Sequence, residues 1–129
     1  MPGFMRGPGE GPAYDFHGSQ VVIKASGDDT LGQLSVMESS HPAGLSVHPH
    51  VHQGEDEMFY VLEGELTGFC GGDHWTAGAG SFVFVPRDER HGFTVTSPGP
   101  ALAIVITGPA RLDRQIAARA AREAGRLMP

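Results

Sequence analysis

Short apolar runs recur along the first hundred positions, each broken by glycine, proline or small polar residues. The runs SQVVIK, GQLSVME, GLSVHPHVH, EMFYVLEG, LTGFC, HWTA, SFVFVP, GFTVT and ALAIVIT carry the β-branched and aromatic residues that suit strands. Between them stand GDD, SSHPAG, CGGD, PRDER and SPGP, which is turn chemistry. About nine closely spaced strands with no helix between them predict an all-β sandwich or barrel.

The period changes only at the C-terminus. In ARLDRQIAARAAREAGRL, after Gly108 and Pro109, the residues Leu112, Ile116, Ala120 and Leu127 share roughly one helical face. Pro109 suits a first helical position. Arginines 111, 114, 119, 122 and 126 occupy much of the rest, and with small and acidic residues between them they predict a solvated face. Residues 1–14 are rich in Gly and Pro without periodicity and predict a flexible arm, available to order against a partner subunit. The expected organisation is therefore an arm over 1–14, a barrel over 15–108 and a helix over 109–129.

Two strands are apolar on both parities. Phe59 and Val61 alternate with Met58, Tyr60 and Leu62, and ALAIVI repeats the pattern. A small barrel has one interior, so the second apolar face needs another surface, and a homodimer is the economical solution.

Composition narrows the partners. The 129-residue chain carries a net charge of −6 and no basic stripe in its strand region, which argues against nucleic acid and anionic membranes. Its 19 Gly and 10 Pro favour short strands over long helices. Cys70 is the one cysteine, so neither an intrachain disulfide nor a cysteine zinc site forms, and it reads as an inert strand residue. The N-terminus lacks the apolar stretch of a secretion signal, and no run is long enough to span a membrane. A soluble cytoplasmic protein is expected.

Chemistry concentrates in HPHVHQGEDE, residues 48–57. On a strand, positions i and i+2 face one way, about 6.5–7 Å apart. His50 and His52 can thus lean toward one ion, and a hairpin at QGED would return Glu57 beside them. Two imidazoles and a carboxylate form a facial set that leaves metal positions open. His91, heading GFTVT, is a further candidate that taken alone reads as a loop histidine. His48 shares the parity of His50 and His52, yet Pro49 and the approaching turn favour rotating it to solvent. Glu55 and Asp56 read as surface and turn residues, and His17, His41 and His74 as surface histidines.

The spacing Gly44, His50, His52, Glu57, Gly64 resembles the first motif of the cupin family, and Gly80, Pro86, His91 resembles the second. Two positions depart, Asp88 where the family has glycine and Val95 where it has asparagine. The resemblance implies a jelly-roll (double-stranded β-helix) barrel closed by a short C-terminal α-helix. It also implies one divalent transition metal per subunit, held by His50, His52, Glu57 and His91. Three imidazoles and a carboxylate accept iron, manganese, nickel, cobalt, copper or zinc without choosing among them.

The stretch HVHQGEDEMFYVLEGELTG is similar to small cupins likened to quercetin dioxygenases. That likeness implies dioxygenase action on a small enol, phenol or diketone, with Glu57 as the base. Phe59, Val61, Phe82, Phe84, Phe93 and His48 are the candidate substrate contacts, and each also suits an ordinary structural role. Related cupins perform isomerase, cyclase or lyase chemistry without oxygen, and a stand-alone small-molecule binder is the third class.

Overall fold

The computed structural model describes residues 2–127, with Arg126 and Leu127 by backbone alone. The side-chain contact expected of Leu127 and the last two positions of the predicted helix lie outside them. The strands are β1 (Ala13–Phe16), β2 (Ser19–Ala25), β3 (Ser35–His41), β4 (Ser46–His50), β5 (Asp56–Glu63), β6 (Leu66–Cys70), β7 (Asp73–Ala77), β8 (Phe82–Val85), β9 (His91–Val95) and β10 (Ala101–Gly108). The helix α1 (Leu112–Leu127) follows. No described helix is long and apolar enough to cross a membrane.

Two antiparallel sheets form a jelly roll, as the strand pattern predicts. One runs β1-β2-β3-β10-β5-β8 and the other β4-β9-β6-β7. Alternation explains the layering, because successive side chains on a strand point to opposite faces. On β10, Ala101, Ala103, Val105 and Thr107 are buried between the sheets, while Leu102, Ile104 and Ile106 are half-buried outside. Met37, Val61 and Leu66 are wholly enclosed; burying each such side chain contributes about 1.5–3 kcal/mol. Gly64 turns the chain after β5 with φ of 80°, and a Cβ there would lie 2.6 Å from the Pro100 carbonyl oxygen. Only glycine fits that approach.

The N-terminal segment departs from expectation. Residues 13–16 form β1, which pairs with β2 through a turn in which His17 and Gly18 both take positive φ, 52° and 88°. That is a two-residue hairpin whose twist matches its strands. The residues before it lie along the same chain. Ile23 N–H donates to Pro12 O at 2.8 Å, Lys24 Nζ donates to Gly7 O at 2.6 Å, and Arg6 pairs with Asp29 at 3.1 Å.

The helix also starts later than Pro109. Glu55 Oε2 accepts the backbone N–H groups of Arg111 at 2.8 Å and Leu112 at 2.9 Å, so a carboxylate from another part of the chain caps the helix. Glu55 is 2% exposed, which corrects its assignment to the surface. Asp113, in the first turn, is also buried and accepts Gly27 N–H at 2.8 Å. These anchors seat Leu112, Gln115 and Ile116 over one end of the barrel cavity.

Candidate metal centre

Three histidines converge because β4 and β9 are paired with His50 opposite His91, while His52 follows at i+2 from His50. The ring centroids lie 4.3 Å apart for His50 and His91, 4.8 Å for His50 and His52, and 5.2 Å for His52 and His91. One nitrogen from each falls within 4.8 Å of the others. Glu57, on the neighbouring sheet, places Oε2 3.5 Å from His52 Nε2 and Oε1 3.8 Å from His91 Nε2. The structure thus brings together all four residues of the expected ligand set.

Backbone carbonyls fix how two of the imidazoles point. His50 Nδ1–H donates to His48 O at 2.7 Å, and His91 Nδ1–H donates to Glu89 O at 3.0 Å. A carbonyl only accepts, so Nδ1 carries the proton in both rings and Nε2 offers a lone pair to the centre. The loops holding these residues are tied to each other. Asp88 N–H donates to His52 O at 2.9 Å, and Asp88 Oδ1 accepts Gly54 N–H at 3.0 Å. Asp88 takes the left-handed conformation with φ of 68°, which a short polar side chain tolerates.

The residues fit a cation. Among the described residues His91 Nε2 is buried without a hydrogen-bond partner, a costly state for a polar atom unless something binds it. The Nε2 atoms of His50 and His52 lie 3.1 Å apart. Ligands at about 2.1 Å from one ion are separated by about 3.0–3.4 Å. Burial, together with the Glu55 carboxylate, pushes Glu57 up to about 8. Burial, with His50 and His91 nearby, lowers His52 to about 4, and burial also lowers His91. A buried set that resists both a lone carboxylate charge and imidazolium charges is suited to a divalent ion, which supplies the positive charge itself.

The centre opens into a cavity of about 830 Å³. Residues 36–107 match the family model of the cupin domain. The chain belongs to the cupin family. A quercetin 2,3-dioxygenase from Bacillus subtilis (strain 168) is 33% identical over 75 residues, which are 58% of this chain and 22% of that protein. KdgF from Halomonas sp. superposes with a TM-score of 0.75 at 24% identity, covering 88% of this chain and 99% of that one. A RmlC-like cupin from Shewanella frigidimarina NCIMB 400 gives 0.71 at 21% identity, covering 88% and 96%. At these identities the two structures speak for the cupin fold alone.

The other candidate residues fall in different places. Phe59, Phe93 and His48 line the cavity, His48 as an exposed residue toward its rim. Val61 is fully buried in the core and does not line the cavity. Phe82 and Phe84 point outward, 61% and 50% exposed. The register explains this: Glu57 pairs with Val85 and Phe59 with Val83, so the valines of β8 share their inward face and the phenylalanines turn away. Among the histidines expected at the surface, His41 is instead 8% exposed, lines the cavity and packs edge-on against Phe93 at 5.3 Å. Its signal was the alternation Ser35, Met37, Ser39, His41, which continues β3 past Glu38 into what reads as a turn.

Proposed function

We propose that this cupin is a metal-dependent enzyme of dioxygenase type, acting on a small enol, phenol or diketone compound bound in the barrel. The observation that carries this reading is the convergence of His50, His52, His91 and Glu57 on one end of a largely apolar cavity, with the buried His91 Nε2 left without a hydrogen-bond partner among the described residues. The sequence similarity to a quercetin 2,3-dioxygenase supports it, although the match covers 22% of that protein. A divalent transition metal held by these four residues would polarise a substrate oxygen and engage dioxygen.

The chain's own contribution is proton handling and enclosure. Glu57, buried beside the imidazoles of His52 and His91, is the carboxylate placed to take a hydroxyl proton as an enol enters. Phe59 and Phe93, 5.8 Å apart and edge-on, form an apolar wall that accepts a planar skeleton and excludes water. With Cys70 as its one cysteine, such an enzyme suits the reducing cytoplasm. A homodimer completes the reading, with a second copy covering Tyr60, Leu62, Phe82 and Phe84 on the outer face of β5 and β8.

The test measures the metal content of protein purified without added metal, then oxygen uptake with flavonols and β-diketones. Uptake that depends on metal and on Glu57 supports the assignment. Tightly bound metal with no uptake, whichever metal is loaded, overturns it. Conversion of substrate without oxygen would then identify an isomerase, cyclase or lyase, and binding without turnover a small-molecule carrier.

A further inference from the structure

The cavity has a second polar end, unrelated to the metal ligands. On adjacent strands β2 and β3, Ser19, Ser39 and His41 are 5, 5 and 8% exposed, and all three line the cavity. His41 Nδ1 lies 2.6 Å from Ser19 Oγ, and Nε2 lies 3.0 Å from Ser39 Oγ. Ser39 Oγ also bonds the Ala103 carbonyl at 3.4 Å.

Donor and acceptor roles follow from the last contact. A carbonyl only accepts, so Ser39 donates to Ala103 and must accept from His41 Nε2–H. His41 Nδ1 is then the acceptor and Ser19 the donor. The chain of bonds runs one way, and Ser19 Oγ is left with lone pairs that no donor among the described residues fills. Burial lowers His41 to about 4, so the network is uncharged near neutral pH.

Holding β2 to β3 does not require this network, since the ladder already pairs Gln20 with Ser40 and Val21 with Ser39. Apolar side chains at these positions would avoid the cost of burying polar groups. The inward neighbours Val21 and Met37 are apolar. Between this end and the metal ligands stands Phe93, two residues along β9 from His91 and 5.3 Å from the His41 ring. Two strand residues span about 7 Å, so the two polar ends are separated by on the order of 10 Å.

We propose that Ser19, oriented by His41 and Ser39, forms a distal subsite that accepts a hydrogen bond from a neutral hydroxyl of the ligand. The ligand class is an elongated, flat, largely apolar molecule with a chelating enol or diketone at one end and a hydroxyl about 10 Å away. The proposal rests on the metal-centre reading for the first end only. Ser19 is the specificity-determining contact, and His41 and Ser39 are positioning residues.

The test titrates the purified protein by calorimetry with two probes, 3-hydroxyflavone and 3,4′-dihydroxyflavone, which differ by one distal hydroxyl. The wild-type protein is expected to bind the dihydroxy compound about fivefold to tenfold more tightly. In S19A, and in the near-isosteric S19C, the two affinities should agree within about twofold, with wild-type metal content and a cooperative thermal transition. Equal affinities in the wild type, a preference that survives S19A and S19C, or no binding of either probe would overturn the proposal. E57Q separates the two readings. A distal-hydroxyl preference that persists in E57Q with metal content unchanged sinks the metal-centre reading and leaves the subsite standing. A wild-type protein that holds metal through Glu57 but binds both probes equally does the reverse.

Discussion

Glu55 Oε1 lies 3.7 Å from Nδ1 of His52, while the other oxygen of the same carboxylate caps α1 through Arg111 and Leu112. One buried side chain therefore faces both a metal-ligand candidate and the element that closes the cavity. A negative charge beside Nδ1 favours a proton there and a free lone pair on Nε2, the atom that faces Glu57.

Removing that carboxylate should have two effects. Glu55→Ala strands two backbone N–H groups at a half-buried helix start and is expected to lower stability by about 2 kcal/mol. Glu55→Gln keeps an acceptor and should cost about 1 kcal/mol. Both should weaken metal binding by about tenfold or more. Denaturant unfolding and metal titration would read the two losses separately. Unchanged metal affinity in Glu55→Gln would mean that His52 is oriented by something else.

At the centre itself, His50→Ala, His91→Ala and Glu57→Gln should each lose most of the metal, read as metal per chain after purification. Chelation of the wild-type protein should lower its melting temperature, because a ligand that binds only the folded state stabilises it by mass action. Chelation should leave Glu57→Gln unmoved. Wild-type metal content in any of the three variants would remove that residue from the ligand set.

The strands and the first metal motif were legible because both are local. Alternation exposes a strand, and His50, His52 and Glu57 lie close together in sequence, although the turn at QGED carries the chain from one sheet to the other and the expected hairpin does not form. What escaped depends on register and on strand ends. Phe82 and Phe84 look like cavity aromatics until Val85 is paired with Glu57. His41 looks like a loop residue until β3 is carried past Glu38. Glu55 looks solvated until a helix more than fifty positions away in sequence docks its N-terminus there. None of these partners is adjacent in the chain, so no window of sequence contains the contact.

His41 should leave a mark on stability against pH. Its folded value is about 4, below the ordinary 6.5. Between these values the unfolded chain binds a proton that the folded chain refuses, so this group's contribution is fully present above pH 6.5 and falls away toward pH 4. The loss is on the order of 3 kcal/mol. His41→Gln removes the titration. The difference between wild-type and variant unfolding free energies should therefore change across that window and flatten below it. A difference independent of pH between 4 and 6.5 would mean that His41 is hydrated in solution.

The outer face of β5 and β8 makes the last prediction. Tyr60, Leu62, Phe82 and Phe84 are 45, 48, 61 and 50% exposed, with Tyr60 paired to Phe82 across the two strands. β8 is also the edge of its sheet, where unpaired backbone groups invite a neighbouring strand. A stable pair of subunits buries about 1,200–2,000 Å² in total, with large aromatic side chains at its centre. Sedimentation of the wild-type protein should therefore give a dimer at micromolar concentration. Phe82→Asp should shift it to monomer while the metal content stays at the wild-type level, since Phe82 faces away from the cavity. A wild-type monomer, or a dimer indifferent to Phe82→Asp and Tyr60→Asp together, would place the subunit contact elsewhere.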